Sequence, residues 1–353
     1  MKKVFCYIAF ALIAVLLLVE LNRIFTPKWD DDLYTTYVFD GLYEEDSLDV
    51  VFLGTSQVLC GISPMELYEK YGIKAYNCAS GAQSMVATYY WTREVIQKKH
   101  PDVLVVDIYC IFDDSLSSDE SIHQALDYMH FGPNKLMAAR DVTQIYDIDS
   151  DVMSFALPYL RYHNRWKELE EKDFTYQFKD KSFYNKGCIS DSDWSSITVT
   201  PVDKMEKKKM APESYLSEYL RKILEYCQKT NTKVVLTKVP LNAMPWEHHE
   251  LVQSIADEYN VPFINMMESD KLKEAGINED TDFEGLAHLN MMGAIKTTRY
   301  LGDYLVENYP EVLSDAETNL KDERWQKELR EYQSERDDYL NKINEAVKSN
   351  TND

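Results

Sequence analysis

Residues 48–61 read LDVVFLGTSQVLCG, and this stretch determines the fold that we expect for the chain. An apolar run rich in β-branched residues ends at a glycine, and Gly54-Thr55-Ser56 leads into a second apolar run. Such a run, bounded by a turn, is typical of a strand buried on both faces of a parallel sheet. Ser56 would follow the carboxyl end of that strand, either as a cap on the next helix or as a nucleophile.

Apolar runs alternate with helical patterns along most of the chain. Four further strands are predicted, with the sequences IKAYNCA, DVLVVDIYCIF, KVVLTKVP and VPFINM. The alternation predicts an α/β fold, a three-layer α/β/α sandwich around a five-stranded, mainly parallel, flavodoxin-like sheet. It lapses once, over approximately residues 113–212, where the sequence is polar and aromatic without a clean period. We interpret this segment as one large insertion that covers one end of the sheet.

The N-terminus has the pattern of a membrane anchor. Lys2 and Lys3 precede an uncharged apolar run over residues 4–19. A helix needs roughly 20 residues to cross the hydrocarbon core, so this run is sufficient together with its flanks. No small-x-small cleavage site follows it, which favours an uncleaved signal-anchor. The lysines would stay in the cytoplasm, and the rest of the chain would lie outside, as a single-pass protein of the cell membrane.

We divide the chain into four parts on these patterns. They are a transmembrane anchor (1–25), an acidic spacer (26–48), an α/β domain (49–310) and a charged helical tail (311–353). The tail carries apolar residues at mixed spacings of three and four, namely Trp325, Leu329, Tyr332, Tyr339 and Ile343. This seam fits a helix that docks on the domain or forms a weak coiled coil, or else a solvated helix that frays.

Composition excludes several function classes. The formal net charge of -22 argues against nucleic acid as a partner, because a phosphate backbone needs a basic surface. The six cysteines form no Cys-x-x-Cys pair, and the seven histidines show no ligand spacing. We therefore expect neither a bound metal nor a cofactor.

Candidate site residues follow the predicted strands, because ligands of open parallel sheets bind outside the carboxyl ends of the strands. Ser56 follows the first strand, and Gly81 and Gln83 lie in the small-residue loop NCASGAQSM after the second. Backbone amides of that loop would point into the cleft, unless its glycine only completes a turn. Asp107, in the third strand, is either a structural acceptor or a site residue.

The segment EDTDFEGLAHLN, residues 279–290, carries the strongest chemical signal. His288 precedes a predicted helix, with Asp282 and Glu284 close upstream. A serine nucleophile needs a base, and that base needs a carboxylate to hold its tautomer and stabilise its charge. One loop would supply both groups, with His288 facing Ser56 across the strand ends.

Gly54-Thr55-Ser56 and His288-Leu289-Asn290 resemble the two ends of an SGNH/GDSL-type hydrolase domain, over approximately residues 49–309. The layout is most similar to membrane-anchored, extracytoplasmic members, such as the D-alanyl transfer protein of teichoic acid synthesis and alginate O-acetylation proteins. The resemblance implies a Ser-His-Asp triad with Ser56 as nucleophile and His288 as base. It also implies an oxyanion hole formed by the amide of Ser56, the loop residue Gly81 and a side-chain donor.

The sequence departs from the family pattern in two places. The acid usually stands three residues before the histidine, where this chain has Gly285. Either Asp282 or Glu284 would have to serve instead. The Gly-x-Asn that usually follows the third strand is absent, and Gln83 is the candidate for the missing side-chain donor.

Two cations are candidates for substrate binding. Arg165, within YHNRW (162–166), would lie over the cleft, where guanidinium and aromatic groups suit sugars and anions. The alternative is an insertion that packs Trp166 into a small core of its own. Lys238, after the fourth strand, has the same ambiguity.

The combined pattern predicts a serine esterase or acyltransferase that acts on O-acyl groups of a cell-surface polysaccharide or cell-wall polymer. Its partners would be that glycan, the membrane and an integral-membrane acyltransferase. The alternative is a degenerate hydrolase fold that serves as a scaffold or polymer-binding partner in a membrane acylation complex. A membrane-anchored lipase is disfavoured, because the acidic ectodomain shows no large apolar segment to admit a lipid.

Overall fold

A parallel sheet forms the centre of the molecule in the computed structural model, which describes residues 2–28, 35–111, 117–175, 185–241, 244–285 and 288–350. Its strands are β1 (Val50–Gly54), β2 (Ala75–Ala79), β3 (Val103–Asp107), β4 (Lys233–Lys238) and β5 (Phe263–Asn265). All neighbours pair in parallel, in the order β2-β1-β3-β4-β5. The predicted α/β architecture with five strands is confirmed.

Sixteen α-helices and a small hairpin complete the part of the chain that the structure describes. The helices are α1 (Lys2–Phe25), α2 (Thr35–Glu44), α3 (Ser56–Gly61), α4 (Pro64–Tyr71), α5 (Met85–Lys99), α6 (Asp119–Leu126), α7 (Pro133–Ile145), α8 (Val152–Ala156), α9 (Tyr159–Tyr162), α10 (Glu171–Thr175), α11 (Tyr215–Thr230), α12 (Trp246–Tyr259), α13 (Ser269–Ala275), α14 (Met291–Asn308), α15 (Ala316–Asn319) and α16 (Glu323–Asn350). The antiparallel hairpin consists of β6 (Phe283–Glu284) and β7 (His288–Leu289). Short 3-10 helices cover Tyr109–Ile111, His163–Lys167, Val202–Lys204 and Pro310–Leu313.

Helices cover both faces of the sheet, as the strand order requires. The crossover from β1 to β2 runs in one direction and the later crossovers run in the other, so right-handed connections place their helices on opposite faces. Helices α3, α4 and α14 pack together on one face, and α5, α11 and α12 pack on the other. Gly302 of α14 permits one of these contacts, because a Cβ there would lie 2.5 Å from Leu67 of α4.

Local sequence signals set the ends of the elements around β1 and β2. Helix α4 has Pro64 at its first position and ends at Gly72, whose φ of 74° is left-handed, as the sequence predicts. Helix α5 begins after Ser84, which accepts a hydrogen bond from the N–H of Ala87, and ends at His100. These caps fix where the two crossover helices begin and end.

Strand β3 is shorter than the apolar run DVLVVDIYCIF predicts. It ends at Asp107, and the chain turns into the 3-10 helix Tyr109–Ile111. The turn forms because the Asp107 carboxylate accepts the N–H of Tyr109 at 3.0 Å and the N–H of Val239 at 3.0 Å. Two backbone groups are thereby satisfied outside the ladder.

The described part of the insertion packs onto the main domain and shares its core. Helix α7 lies against α5, and apolar side chains of α6, α7 and α8 belong to the same buried cluster as the sheet; these include Ile122, Leu126, Ala138, Val142 and Phe155. Within the segment predicted as an acidic spacer, residues 35–44 form α2. Phe39 of α2 stacks on Trp91 of α5 with ring centroids 4.3 Å apart.

The tail docks on the domain as the helix α16. Trp325 and Tyr332 are fully buried, and the hydroxyl of Tyr332 is 2.7 Å from the Ser63 hydroxyl and 2.8 Å from Glu66. The buried ammonium of Lys186 lies 4.0 Å above the ring of Trp325. This packing corresponds to the docked alternative for the apolar seam.

We predict that Trp325→Ala lowers the free energy of unfolding by about 3–5 kcal/mol, because it removes a fully buried indole. Urea unfolding of the detergent-solubilised chain measures this change. Arg330→Ala, an exposed position on the same helix, is the control and should change stability by less than about 0.5 kcal/mol. Equal stability of both variants would show that the tail is not docked.

Candidate active site

The close approach of the Gly54 backbone to two side chains positions Ser56 at the carboxyl edge of the sheet. A Cβ on Gly54 would lie 2.6 Å from Val58 and 2.9 Å from Cβ of Asp107, so only glycine fits at the end of β1. Thr55 then caps α3, because its hydroxyl accepts the N–H of Gln57 at 3.3 Å. Ser56 is the first residue of α3 and remains partly accessible.

His288, which lies near the other end of the domain in sequence, contacts Ser56. Its Nε2 lies 2.9 Å from the Ser56 Oγ, although the two residues are 232 positions apart. Burial lowers the pKa of His288 below its ordinary value of 6.5. The imidazole is therefore neutral at neutral pH, which leaves a ring nitrogen able to accept the hydroxyl proton.

Asp282 is fully buried, and its carboxylate is bonded to groups other than His288. It accepts the N–H of Asn278 at 2.8 Å and the hydroxyl of Thr281 at 2.7 Å. The ammonium of Lys296 donates to both carboxylate oxygens, at 2.8 and 2.7 Å. The predicted triad acid thus closes the loop that precedes β6 and ties it to α14.

Glu284 lies directly opposite His288 in the hairpin, as its paired residue. Side chains of such a pair share one face, so both project from the same side of the hairpin. Burial and the nearby charges of Asp191 and Asp193 raise the pKa of Glu284 to about 7. Within the described part of the chain, no carboxylate is hydrogen-bonded to His288.

The predicted oxyanion donors separate into two groups. Ser56 and Gly81 each stand two residues beyond the paired strand ends Gly54 and Ala79, and their N–H groups have no hydrogen-bond partner among the described residues. The side chain of Gln83 is instead buried in its own loop. The Ser80 hydroxyl donates to Oε1 of Gln83 at 3.2 Å, and Nε2 of Gln83 donates to the Thr88 hydroxyl at 3.2 Å. The side chain of Gln83 is thus buried and bonded to residues of its own segment.

The two predicted substrate-binding cations have other contacts. Lys238 is fully buried, and its ammonium donates to Gln57 Oε1 at 2.7 Å and to the Val239 carbonyl at 2.6 Å. Burial lowers the pKa of Lys238 to about 8. Through its bond to Gln57, Lys238 thus stabilises the start of α3, where Ser56 lies. Arg165 donates to the carbonyl of Phe25 at 2.6 Å, which binds the insertion to the end of α1 and not to the cleft.

Sequence reasoning did not identify the residues that hold the histidine hairpin. Asn290 caps α14, and its amide donates to the carbonyl of Thr281 at 2.9 Å. The insertion also contributes, because the N–H of Ser195 donates to the carbonyl of Phe283 at 2.9 Å. An asparagine directly before an apolar helical pattern is a recognisable cap signal, whereas the contact from the insertion has no local signal.

No group of three or more His, Cys, Asp or Glu side chains among the described residues could hold a metal ion. The chemistry available from the residues that meet here is acyl transfer by a serine with a histidine base.

Comparisons with known proteins give little further information. No family model matches the chain, and no curated protein matches it. Among solved structures, the chain is similar to one from Bacteroides fragilis NCTC 9343 that is described, provisionally, as an acylhydrolase. The identity is 11%, the TM-score is 0.36, and the match covers 80% of this chain and 99% of the other. A likeness at this level supports no argument about function, which has to come from the site.

We predict that Asp282→Asn lowers the free energy of unfolding by about 1–3 kcal/mol, because buried donors lose a charged acceptor. Lys296→Met should cost less when Asp282 is already replaced than when it is present, with a coupling of about 1 kcal/mol in a double-mutant cycle followed by urea unfolding. Unchanged stability together with a loss of serine reactivity by about four orders of magnitude would instead identify Asp282 as the triad acid.

Proposed function

We propose that the chain is a serine esterase or O-acyltransferase in which Ser56 is the nucleophile and His288 is the general base. The hydrogen bond of 2.9 Å between Ser56 Oγ and His288 Nε2 is the observation that carries this proposal. It joins a partly accessible serine at the carboxyl edge of a parallel sheet to a neutral imidazole, which are the parts that acyl transfer through a serine requires.

The residues would act in two half-reactions. Ser56 Oγ attacks the acyl carbonyl carbon while its proton moves to His288 Nε2, and the N–H groups of Ser56 and Gly81 hold the oxyanion. The carbon–oxygen bond to the leaving alcohol then breaks, and His288 returns the proton to that alcohol. Water or a sugar hydroxyl next attacks the acyl-serine, and its proton passes through His288 back to Ser56.

The substrate that we propose is an O-acyl group of a cell-surface polysaccharide or cell-wall polymer. Helix α1 is long and apolar enough to span a membrane. Lys2 and Lys3 favour a cytoplasmic N-terminus, which would hold the domain outside the cell beside such polymers. An integral-membrane acyltransferase is the corresponding partner for the transfer reaction.

A scaffold without catalytic turnover is the second candidate function. One observation favours it: within the described residues, no carboxylate is bonded to His288, and Asp282 is bonded to Lys296. Loss of the acid partner lowers turnover by about four orders of magnitude in a triad enzyme. Such a fold would bind the polymer or the membrane partner without cleaving the ester.

A fluorophosphonate probe tests the enzymatic function on the full chain in detergent. We expect one probe adduct per chain on Ser56 by mass spectrometry, and we expect no adduct in Ser56→Ala. Ser349→Ala, which changes a serine in the exposed last turn of α16, is the matched control and should label like the unchanged chain. Equal labelling of Ser56→Ala and the unchanged chain would contradict the assignment.

The pH dependence of probe labelling should separate a free His288 from one held by a carboxylate. Because burial lowers the pKa of His288, the neutral base persists below pH 6.5, and the labelling rate should rise with pH to a plateau with its midpoint below 6.5. Rates measured across the acidic range give this midpoint. A midpoint above 6.5 would mean that a carboxylate stabilises the imidazolium, as in a complete triad.

A further inference from the structure

A groove of about 950 Å³ lies between the end of α1 and the insertion. Neither Ser56 nor His288 is among its lining residues. Its volume falls within the range of roughly 300–1,000 Å³ that is typical of small-molecule sites. One wall is formed by Val15, Leu18 and Val19 of α1, and the facing wall includes Phe131 and Phe174 of the insertion. The walls are mainly apolar.

The groove is held in place by contacts between α1 and the insertion. The backbone N–H of Tyr159 donates to Asn22 at 2.9 Å, and Arg23 donates to the carbonyl of Phe174 at 3.2 Å. The rings of Phe25 and Tyr159 meet edge to face, with centroids 5.1 Å apart. The insertion is therefore fixed to the end of α1, and the orientation of the groove follows that of the helix.

The position of the groove along α1 places its mouth at the level of acyl chains. Val15 precedes Arg23 by two turns, which corresponds to about 12 Å along an α-helix. If Arg23 lies at the interface of a membrane that α1 spans, Val15 lies inside the hydrocarbon. Phe131 and Phe174 line the same groove as Val15 and are 70% and 53% exposed. Exposed aromatic rings on the wall of a groove that enters the hydrocarbon would be covered by lipid and not by water.

The end of the groove that follows α1 is polar. Asn22, Arg23 and Lys28 line it there, and Lys28 is buried. Lys135 and Asp127 are further buried polar residues of the lining. The ammonium of Lys28 donates to the carbonyl of Thr26 at 2.7 Å, and that of Lys135 donates to the carbonyl of Asp127 at 2.7 Å. An apolar groove with a polar end suits an amphiphile, because its chain needs the apolar environment and its headgroup needs the polar one.

We propose that this groove binds one acyl chain of a membrane phospholipid, with the headgroup beside Lys28, at the end of the groove that follows α1. The proposal rests on the proposed crossing of the membrane by α1, and it does not depend on the chemistry of Ser56. The bound lipid would seat the insertion on the outer leaflet and set the height of the domain above the membrane.

Photocrosslinking in vesicles tests this binding. The full chain is reconstituted into vesicles of phosphatidylcholine and phosphatidylglycerol that contain phosphatidylcholine with a diazirine in one acyl chain. After irradiation, mass spectrometry should find lipid adducts on peptides around Phe131 and Phe174, in addition to adducts on α1. Phe174→Asp should lower the adduct yield at the insertion by about tenfold, because a charged side chain replaces an aromatic ring in the apolar wall of the groove.

Two controls keep the result interpretable. Met210→Asp places the same charge at another exposed apolar position, outside the groove, and should leave the adducts unchanged. Fluorophosphonate labelling of Ser56 in the same samples reports the proposed function separately, and it should be equal in all variants. If Ser56 of the unchanged chain is not labelled while lipid adducts form at the insertion, the enzymatic function alone is contradicted.

Adducts confined to α1 would overturn the proposal, because every spanning helix contacts lipid. Equal yields in Phe174→Asp and the unchanged chain would also overturn it. A photoreactive amino acid at Phe174 that crosslinks to another protein in the native membrane, without lipid adducts at the insertion, would show that a protein occupies the groove.

Discussion

The buried carboxylate of Asp107 fixes the strand exits on which the site depends. Its two oxygens accept backbone N–H groups just after β3 and just after β4, and its Cβ would contact any side chain at Gly54. Burial raises the pKa of Asp107, and the positive charge of Lys238 opposes that rise. One side chain thus sets how three neighbouring strands leave the sheet, and Ser56 follows from the exit of β1.

The loop that carries His288 is organised around a second buried carboxylate. Asp282 gathers two local donors and the ammonium of Lys296, and its backbone carbonyl accepts the N–H of Asn290. These bonds fix the hairpin that presents His288 to Ser56. Asp282, one of the two carboxylates predicted as the triad acid, therefore serves to position the loop. The pKa of His288 stays low because the imidazole is buried, and no described carboxylate is hydrogen-bonded to it.

Glu284 is the acidic group that shares a face with His288. With a pKa of about 7, it is only partly ionised at neutral pH, since burial and the nearby charges of Asp191 and Asp193 disfavour its ionised form. It is the paired residue of His288 in the hairpin, but no hydrogen bond joins the two among the described residues. This arrangement differs from a triad, in which a permanently ionised acid holds the histidine before substrate arrives.

Much of the fold could be predicted from the sequence, because apolar runs and capping residues such as Pro64 and Gly72 report local structure directly. The early end of β3 could not, since it depends on a bond from Val239 far along the chain. Ser56 and His288 can be predicted as a pair from their places after a strand and before a helix, and the structure brings them together. The roles of Asp282, Gln83 and Lys238 depend on which donors or acceptors surround them in space, and that information is absent from local sequence.

The reactivity of Ser56 in His288→Gln tests the account most directly. The glutamine keeps a polar side chain near the serine but cannot act as a general base at neutral pH. The second-order rate constant for fluorophosphonate modification of Ser56, measured on the full chain at neutral pH, should fall by about 100-fold or more. A rate constant equal to that of the unchanged chain would show that the hydrogen bond between His288 and Ser56 does not activate the serine.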